Sequence, residues 1–358
     1  MAYCNTQLRN YEQAKIFSEK SLLIKNNWAE GYILAAEIGY NLNEGENVLK
    51  YYDSAVEKGV DTIQLYISWV LMLINFKKFE EAIEKCFMIL QLNPLSQEGL
   101  YNLSYCFFYL NKYDEAIKAI EKMLEFYPDN LNAQVLQGKI YAKLNEHKRA
   151  IEIYKNVAAA SNKFYTLYCD IANSYNELGD KTNAIKYYEK TIEYAPDMVP
   201  AYVNCARTMC EINDIKNALR KIRKAYSLDK ENSFVIFTYA AILMYDEKYE
   251  EALNKFKIVV EKGDIKEAKL GVVESLMHLN RLKEAINELE NLKNEFDGSI
   301  TYTKLSFEIY YKLAQNENSA YNIEQALIWC QRVEELCGDD MDLIDKRIQL
   351  REMSKQEQ

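Results

Sequence analysis

An alanine recurs every 34 residues along much of this chain, within a segment whose neighbouring residues keep their character. The regular series is Ala82, Ala116, Ala150, Ala184, Ala218 and Ala252. The same interval reaches Val48 and Ala14 toward the N-terminus, whereas toward the C-terminus the spacing changes to 33 at Ala285 and to 41 at Ala326. A period of this length predicts a linear array of helical units, each of which buries its apolar face against its neighbours.

The composition indicates that these units are entirely helical. Only 4 prolines and 11 glycines occur among the 358 residues, so few positions interrupt a helix. No segment alternates polar and apolar residues as a half-buried strand does. The sequence therefore predicts an all-α fold.

Particular positions around the central alanine keep their size from unit to unit. The residue twelve before it is small, as at Ala36, Ser104, Gly138, Ala172, Ala206 and Ala240. Two antiparallel helices approach closely where a small side chain on one receives a large side chain from the other. Asn111 and Asn145, each preceded by leucine, are predicted to end the first helix, because asparagine tolerates the left-handed backbone conformation.

This pattern resembles the tetratricopeptide repeat family over essentially the whole chain. The resemblance implies a right-handed α-solenoid of antiparallel helix pairs, the tetratricopeptide superhelix. It also implies that the first helix of each repeat lines a concave groove, which holds an extended peptide or a partner helix.

The repeat register predicts four parts of the chain. Residues 1–28 form an incomplete first repeat, and residues 29–299 form eight tandem repeats of 33 or 34 residues. Residues 300–340 form a last repeat with an enlarged turn between its helices at 315–321, and residues 341–358 form a capping helix and a frayed tail. Because the first repeat lacks part of a helix, we expect a fragment of a longer protein, with a degenerate cap as the alternative.

Several classes of function are disfavoured by composition and motifs. The net charge of -10 opposes nucleic-acid binding, and the longest apolar run is too short for membrane insertion. The cysteines and the two histidines show no zinc-site spacing. No phosphate-binding loop, nucleophile elbow or other catalytic constellation occurs. We therefore predict a non-enzymatic cytoplasmic protein without cofactor or metal.

Recognition residues are predicted from helical geometry and from the resemblance. Positions 15, 11, 8 and 7 before the central alanine share one face of each first helix, opposite the small packing residue. This face changes character along the chain, from apolar to polar and back to apolar. The apolar wall comprises Ile67, Leu71, Tyr101, Tyr105, Phe108 and Tyr109; the polar floor includes Lys139, Lys143, Asn173 and Arg207; the second apolar stretch includes Phe237 and Tyr245. Asn204, 14 before Ala218, is added as a hydrogen-bonding residue.

For these candidates a structural role is an open alternative. The aromatic wall is also consistent with packing between adjacent first helices, and Lys139 and Arg207 with ion pairs to Glu177 and Glu211. Alternatively, the two cations hold a ligand carboxylate while the asparagines donate hydrogen bonds. We therefore expect a peptide in which apolar residues flank an acidic or carboxyl group.

The carboxylate clamp that binds heat-shock chaperones is a subclass of this family. Asn173 and Asn204 match its asparagines in register. Cys169 stands at its first lysine position, and Phe234 and Thr238 replace its last two cations. A chaperone co-factor is therefore disfavoured.

Three functions remain open from the sequence. The leading hypothesis is a protein-protein interaction scaffold that binds a peptide segment or partner helix in its groove. The second is the regulatory or substrate-recruiting array of a larger enzyme, and the third is a self-assembling repeat protein. The sequence leaves the identity of the partner and the oligomeric state open.

Overall fold

A computed structural model describes residues 2–7, 9–296, 298–317, 319–338 and 341–356. Within these ranges the regular structure is α-helical, with two short 3-10 segments at Gly45–Val48 and Asn162–Phe164 and no strand. The all-α prediction is confirmed. The chain forms two compact units, Met1–Leu178 and Gly179–Gln358.

The first unit is a succession of helices that pack against the next helix in the chain. The helices are α1 (Ala2–Gln7), α2 (Tyr11–Ile24), α3 (Ala29–Asn41), α4 (Leu49–Glu57), α5 (Ile63–Asn75), α6 (Phe79–Leu92), α7 (Gln97–Tyr109), α8 (Tyr113–Phe126), α9 (Leu131–Lys143), α10 (His147–Ala160) and α11 (Leu167–Glu177). The first helices of consecutive pairs also pack on one another, with α5 contacting α3 and α7, and α7 contacting α9.

Local sequence explains where these helices begin and end. Ser96 precedes α7 and its hydroxyl accepts a hydrogen bond from the Gly99 amide at 3.2 Å, which satisfies one of the free donors of the first turn. Asn111 and Asn145 adopt positive φ angles of 58° and 61° in the turns after α7 and α9. The prediction of left-handed asparagines between paired helices is thus confirmed.

Small residues let the paired helices approach closely. A Cβ atom at Gly138 on α9 would lie 2.5 Å from Cε1 of Tyr154 on α10, so only glycine leaves room for this buried ring. The hydroxyl of Ser104 on α7 donates to the carbonyl of Ala116 on α8 at 2.8 Å. The small residue and the central alanine therefore meet between α7 and α8, and a small residue receives a large ring between α9 and α10, as the sequence predicts.

The second unit repeats this arrangement. The helices are α12 (Lys181–Tyr194), α13 (Val199–Glu211), α14 (Ile215–Leu228), α15 (Ser233–Tyr245), α16 (Tyr249–Lys262), α17 (Ala268–His278), α18 (Leu282–Phe296), α19 (Ile300–Glu317), α20 (Ala320–Cys337) and α21 (Met341–Gln356). In this unit α15 packs on α13 and α17, α19 packs on α17, and α21 packs on α19 and α20.

The enlarged turn predicted at 315–321 is wrong. The extra residues lengthen α19 and α20 to 18 residues each, against 13 and 14 in α7 and α8, and Asn318 lies outside the described residues. The helices extend because their buried apolar faces continue through Leu313 and Ala314 on α19 and Ile323 on α20. Among the described residues no helix is long and apolar enough to cross a membrane.

Candidate functional site

All thirteen predicted recognition residues reach the surface. Six are partly exposed, and seven are exposed. The partly exposed residues are Ile67, Tyr101, Tyr105, Phe108, Asn204 and Phe237; the exposed residues are Leu71, Tyr109, Lys139, Lys143, Asn173, Arg207 and Tyr245. Ile67 also packs against the core of the first unit, so it contributes to stability as well as to the surface.

Helix α7 carries a ladder of three tyrosines along one face. The ring centroids of Tyr101 and Tyr105 are 6.4 Å apart, and those of Tyr105 and Tyr109 are 4.7 Å apart. Tyr109 then stacks on Phe79 of α6 at 5.2 Å. Burial, followed by a hydrogen bond to Tyr109, raises the pKa of Tyr105. We call Tyr101, Tyr105 and Tyr109 the tyrosine ladder.

A cavity of about 480 Å³ lies beside the tyrosine ladder and gathers four predicted residues. Phe108 on α7, Lys139 and Lys143 on α9, and Asn173 on α11 line it. Phe108 links the cavity to the ladder, with its ring 5.5 Å from that of Tyr109. The other lining residues are Ala142, Asn145, His147, Tyr154, Asp170, Ser174 and Glu177. We call this cavity the lysine pocket.

The cations of the lysine pocket are available to a ligand. Neither Lys139 nor Lys143 forms an ion pair within the described residues, although Glu177 lines the same cavity. Burial raises the pKa of the Asp170 carboxyl, and the charge of Lys139 partly opposes that rise. His147 adds a buried Nδ1 without a hydrogen-bond partner in the described part of the chain, so the cavity retains unmatched polar groups.

A second cavity, of about 440 Å³, occupies the second unit and gathers Phe237 and Tyr245 of α15. Its walls are mainly aromatic and apolar. Three ionisable side chains also line it: Glu267, which precedes α17, and Glu274 and His278 of α17. The remaining lining residues are Ala241, Met244, Tyr249, Phe256, Leu270, Gly271 and Thr301. We call this cavity the glutamate pocket.

Glu274 dominates the electrostatics of the glutamate pocket. It is partly buried, and burial raises the pKa of its carboxyl, with the nearby His278 lowering it to a smaller extent. Within the described ranges Glu274 has neither a hydrogen bond nor an ion pair. The imidazole of His278 instead stacks on Tyr249, with ring centroids 4.6 Å apart.

Asn204 and Arg207 line neither cavity. Both lie on α13 in the second unit, whereas Lys139, Lys143 and Asn173 belong to the first. The Arg207 guanidinium lies 6.0 Å from the ring centroid of Phe234, and Glu211 pairs with Lys181 rather than with Arg207. The alternative in which Arg207 merely pairs with Glu211 is therefore wrong, and a continuous polar floor stays a prediction.

The two cavities occupy equivalent places in the repeat. Lys139 and Lys143 lie 11 and 7 residues before Ala150, and Ala241 and Tyr245 lie at the same distances before Ala252. One repeat further on, Asn173 lies 11 residues before Ala184, and Glu274 lies 11 residues before Ala285. Glu177 and His278 also correspond, since each lies 7 residues before the same alanine of its repeat.

Sequence reasoning omitted several lining residues from the recognition set. His147 and Tyr249 lie three before the central alanine, a position interpreted as a fold signature, yet both line a pocket. Asp170 lies 14 before Ala184, outside the four selected positions, although Asn204 at the same position of the next repeat was included as a hydrogen-bonding residue. Glu274 lies at a selected position, 11 before Ala285, and its charge within an apolar stretch was the signal that could have identified it.

Comparison with family models identifies the repeats. Models described as tetratricopeptide repeat match residues 97–130, 131–164 and 165–198, which are three consecutive units of the predicted array. These three units are tetratricopeptide repeats. A TPR repeat-containing protein from Methanocaldococcus jannaschii is 32% identical over 85 residues, and the match covers 24% of this chain and 14% of that relative.

Solved tetratricopeptide structures share the fold. A tetratricopeptide repeat protein from Parabacteroides merdae has a TM-score of 0.54 at 18% identity and covers 71% of this chain and 98% of its own. The Cut9-Hcn1 hetero-tetramer of the APC/C includes a chain with a TM-score of 0.56 at 12% identity, covering 98% of this chain and 74% of its own. These similarities extend the solenoid fold beyond the three matched repeats.

Proposed function

We propose that this tetratricopeptide-repeat protein is a non-catalytic scaffold that binds a peptide segment or partner helix along its first helices. The repeats themselves support a protein-interaction scaffold in general terms. The finer proposal is that the tyrosine ladder and the lysine pocket act together as one recognition surface. Its ligand carries an apolar side chain next to a carboxylate.

The observation that carries this proposal is the lysine pocket, whose two lysines form no ion pair within the described residues and lie beside exposed aromatic rings. Lysine ammonium groups without an internal ion pair are free to form charge-assisted hydrogen bonds with a carboxylate. Tyr109, which is 50% exposed, offers a broad apolar surface with a polar tip, the combination found at binding hot spots. Phe108 joins the two parts, since it lines the pocket and contacts Tyr109.

Local geometry supports a fixed rather than a mobile site. The rings of Tyr101, Tyr105 and Phe108 pack against a buried cluster that includes Leu136 and Ile140 of α9. The ladder and the helix that bears both lysines are therefore held by one core. Such preorganisation lowers the entropic cost of binding.

A peptide selection tests the proposal without a known partner. The full chain would be used to select from a random peptide library that presents both internal sequences and free C-termini. We expect enrichment of peptides with a leucine or aromatic residue within a few positions of an aspartate, a glutamate or the terminal carboxylate. A selected peptide should then bind the Lys139→Ala, Lys143→Ala double variant at least about tenfold more weakly, since two charge-assisted contacts are lost.

Helix α8 provides a matched control. Lys118 and Lys122 have the same four-residue spacing, are exposed and do not line the lysine pocket. Their double alanine variant should retain binding of the selected peptide. Equal losses in both double variants would attribute binding to overall charge, and selection of peptides without any acidic group would overturn the proposed ligand class.

A further inference from the structure

The glutamate pocket has the composition of a site for an organic cation. Four aromatic side chains line it, namely Phe237, Tyr245, Tyr249 and Phe256. Among the described residues no lysine or arginine lines it, whereas Glu267 and Glu274 both do. We propose that this pocket binds the side chain of an arginine or lysine within an extended peptide.

The aromatic walls provide the first part of the argument. Cations bind favourably over the faces of aromatic rings because the ring quadrupole places negative charge there. The ring centroids of Phe237 and Phe256 are 5.7 Å apart, and this contact holds one wall of the pocket in place. Tyr245 is 68% exposed at the C-terminal end of α15, so it is accessible to a side chain that enters from solvent.

Glycine sets the depth of the pocket. A Cβ atom at Gly271 would lie 2.6 Å from Cε1 of Phe256, so the Phe256 ring lies directly against the backbone of α17. Any larger residue at Gly271 would displace this ring. The position therefore brings an aromatic wall and the helix that bears Glu274 into direct contact.

Glu274 supplies the charge complementarity. A carboxylate held away from water without a partner is unfavourable, and an incoming ammonium or guanidinium group would relieve that penalty. His278 is the basic side chain whose charge acts on the Glu274 carboxyl, but its ring is stacked on Tyr249. Glu267 adds a second carboxylate that is exposed. A guanidinium fits this environment because its planar face stacks on rings while its edge donates to carboxylate oxygens.

Comparison with the lysine pocket strengthens the assignment. At the positions of Lys139 and Lys143 the second unit has Ala241 and Tyr245, and at the position of Asn173 it has Glu274. The cations of the first pocket are thus replaced by neutral side chains, and a neutral amide is replaced by a carboxylate. Asp170 and Glu177 of the lysine pocket correspond to Gly271 and His278, so the difference that favours a cation is the absence of lysine from the described lining of the second pocket together with Glu274.

A pair of matched peptides tests the inference on the full chain. The probe is a fluorescein-labelled peptide of leucine and alanine with one central arginine, and its partner has citrulline at that position, which keeps the shape and removes the charge. Binding is followed by fluorescence anisotropy. We expect the arginine peptide to bind at least about tenfold more tightly, a difference typical of one desolvated charge-assisted contact.

Variants assign that preference to the pocket. Glu274→Gln should bring the two peptides to within about twofold of each other, whereas Glu261→Gln, at an exposed position of α16 outside the pocket, should keep the preference. Tyr245→Ala should weaken the arginine peptide about threefold to tenfold through loss of an aromatic wall. Because Tyr245 is largely exposed, this second variant tests the site without disturbing the core.

Three outcomes would overturn the inference. They are equal binding of the arginine and citrulline peptides, retention of the full preference by Glu274→Gln, and loss of the preference in Glu261→Gln. The inference extends the proposed function but is independent of the lysine pocket. If one of these outcomes occurs while an acidic peptide selected on the full chain still depends on Lys139 and Lys143, only the cation site has failed.

Discussion

The lysine pocket and the glutamate pocket place different ionisable side chains at equivalent positions of the repeat. Each is lined by successive first helices and by one aromatic residue that lies four after a central alanine, Tyr154 in the first and Phe256 in the second. The polar residues differ at the positions 11 and 7 before the alanine. Side chains that pack the repeat are therefore retained while those that face the cavity change.

The aromatic rings of the two pockets are also seated differently. Tyr154 approaches the backbone of α9 at Gly138, within its own helix pair, whereas Phe256 approaches α17 of the next pair at Gly271. A glycine is thus needed in both places but on different helices. The shape of each pocket therefore depends on which helix carries the glycine that the aromatic ring packs against.

The largest expected effects come from filling these two glycine positions. Gly138→Val and Gly271→Val should each lower the free energy of unfolding by about 2 to 3 kcal/mol, because the new side chain overlaps a buried ring. Urea unfolding followed by circular dichroism measures the change. Lys122→Val on the exposed face of α8 is the control, with an expected cost of about 0.5 kcal/mol. Glycine variants no worse than this control would contradict the close contact.

Exchange of the polar residues should reverse the preference of the lysine pocket. The triple variant Lys139→Ala, Lys143→Tyr, Asn173→Glu installs the residues of the glutamate pocket at equivalent positions. We expect at least about a tenfold loss for an acidic peptide and a preference for the arginine over the citrulline peptide, measured by anisotropy. A triple variant that still prefers the acidic peptide would show that recognition lies outside these positions.

The pH dependence of stability should reveal the buried carboxyl in each pocket. Burial raises the pKa of both Asp170 and Glu274 above the unfolded value. Each group therefore contributes stability that is fully present below the unfolded pKa and is lost as the pH rises through the folded pKa.

Isosteric variants isolate this effect. Asp170→Asn and Glu274→Gln should each flatten the decline in melting temperature between pH 4 and pH 7, and should be more stable than the wild type near pH 7. A nearby basic side chain opposes each shift, Lys139 for Asp170 and His278 for Glu274, so each change should be smaller than burial alone would produce. Glu261→Gln serves as the exposed control, and an unchanged pH profile in both pocket variants would argue against a charged group held in either cavity.

The smallest effect distinguishes two tyrosines at the same repeat position. Tyr109 and Tyr245 each lie 7 residues before a central alanine. Tyr109 contacts the rings of Phe79, Tyr105 and Phe108, so Tyr109→Ala should cost about 1 kcal/mol of unfolding free energy. Tyr245→Ala should cost less than about 0.5 kcal/mol because its side chain is 68% exposed. Thermal unfolding of the two variants checks the order, and a reversed order would contradict it.

Helical periodicity explains why much of the candidate surface was predictable. Residues 11, 8 and 7 before the alanine share a helix face, so Phe108, Lys139 and Lys143 were expected at the surface before any coordinates. The contribution of His147 from α10 was not, because a position that packs one repeat also borders the cavity of the next. Similarly, α19 and α20 include residues 315–317 and 320–321 as helix, although these residues were expected to form a turn.

The sequence by itself determined the helical repeat, the positions of most turns and the helix face on which the candidate residues lie. These properties depend on local propensity and on spacing along one helix, which a linear pattern contains in full. Only the tertiary structure decided which side chains share a cavity, which cations lack a partner and which carboxyl is buried. Those properties depend on how three or more helices cross, because distances between side chains on different helices set both desolvation and ion pairing.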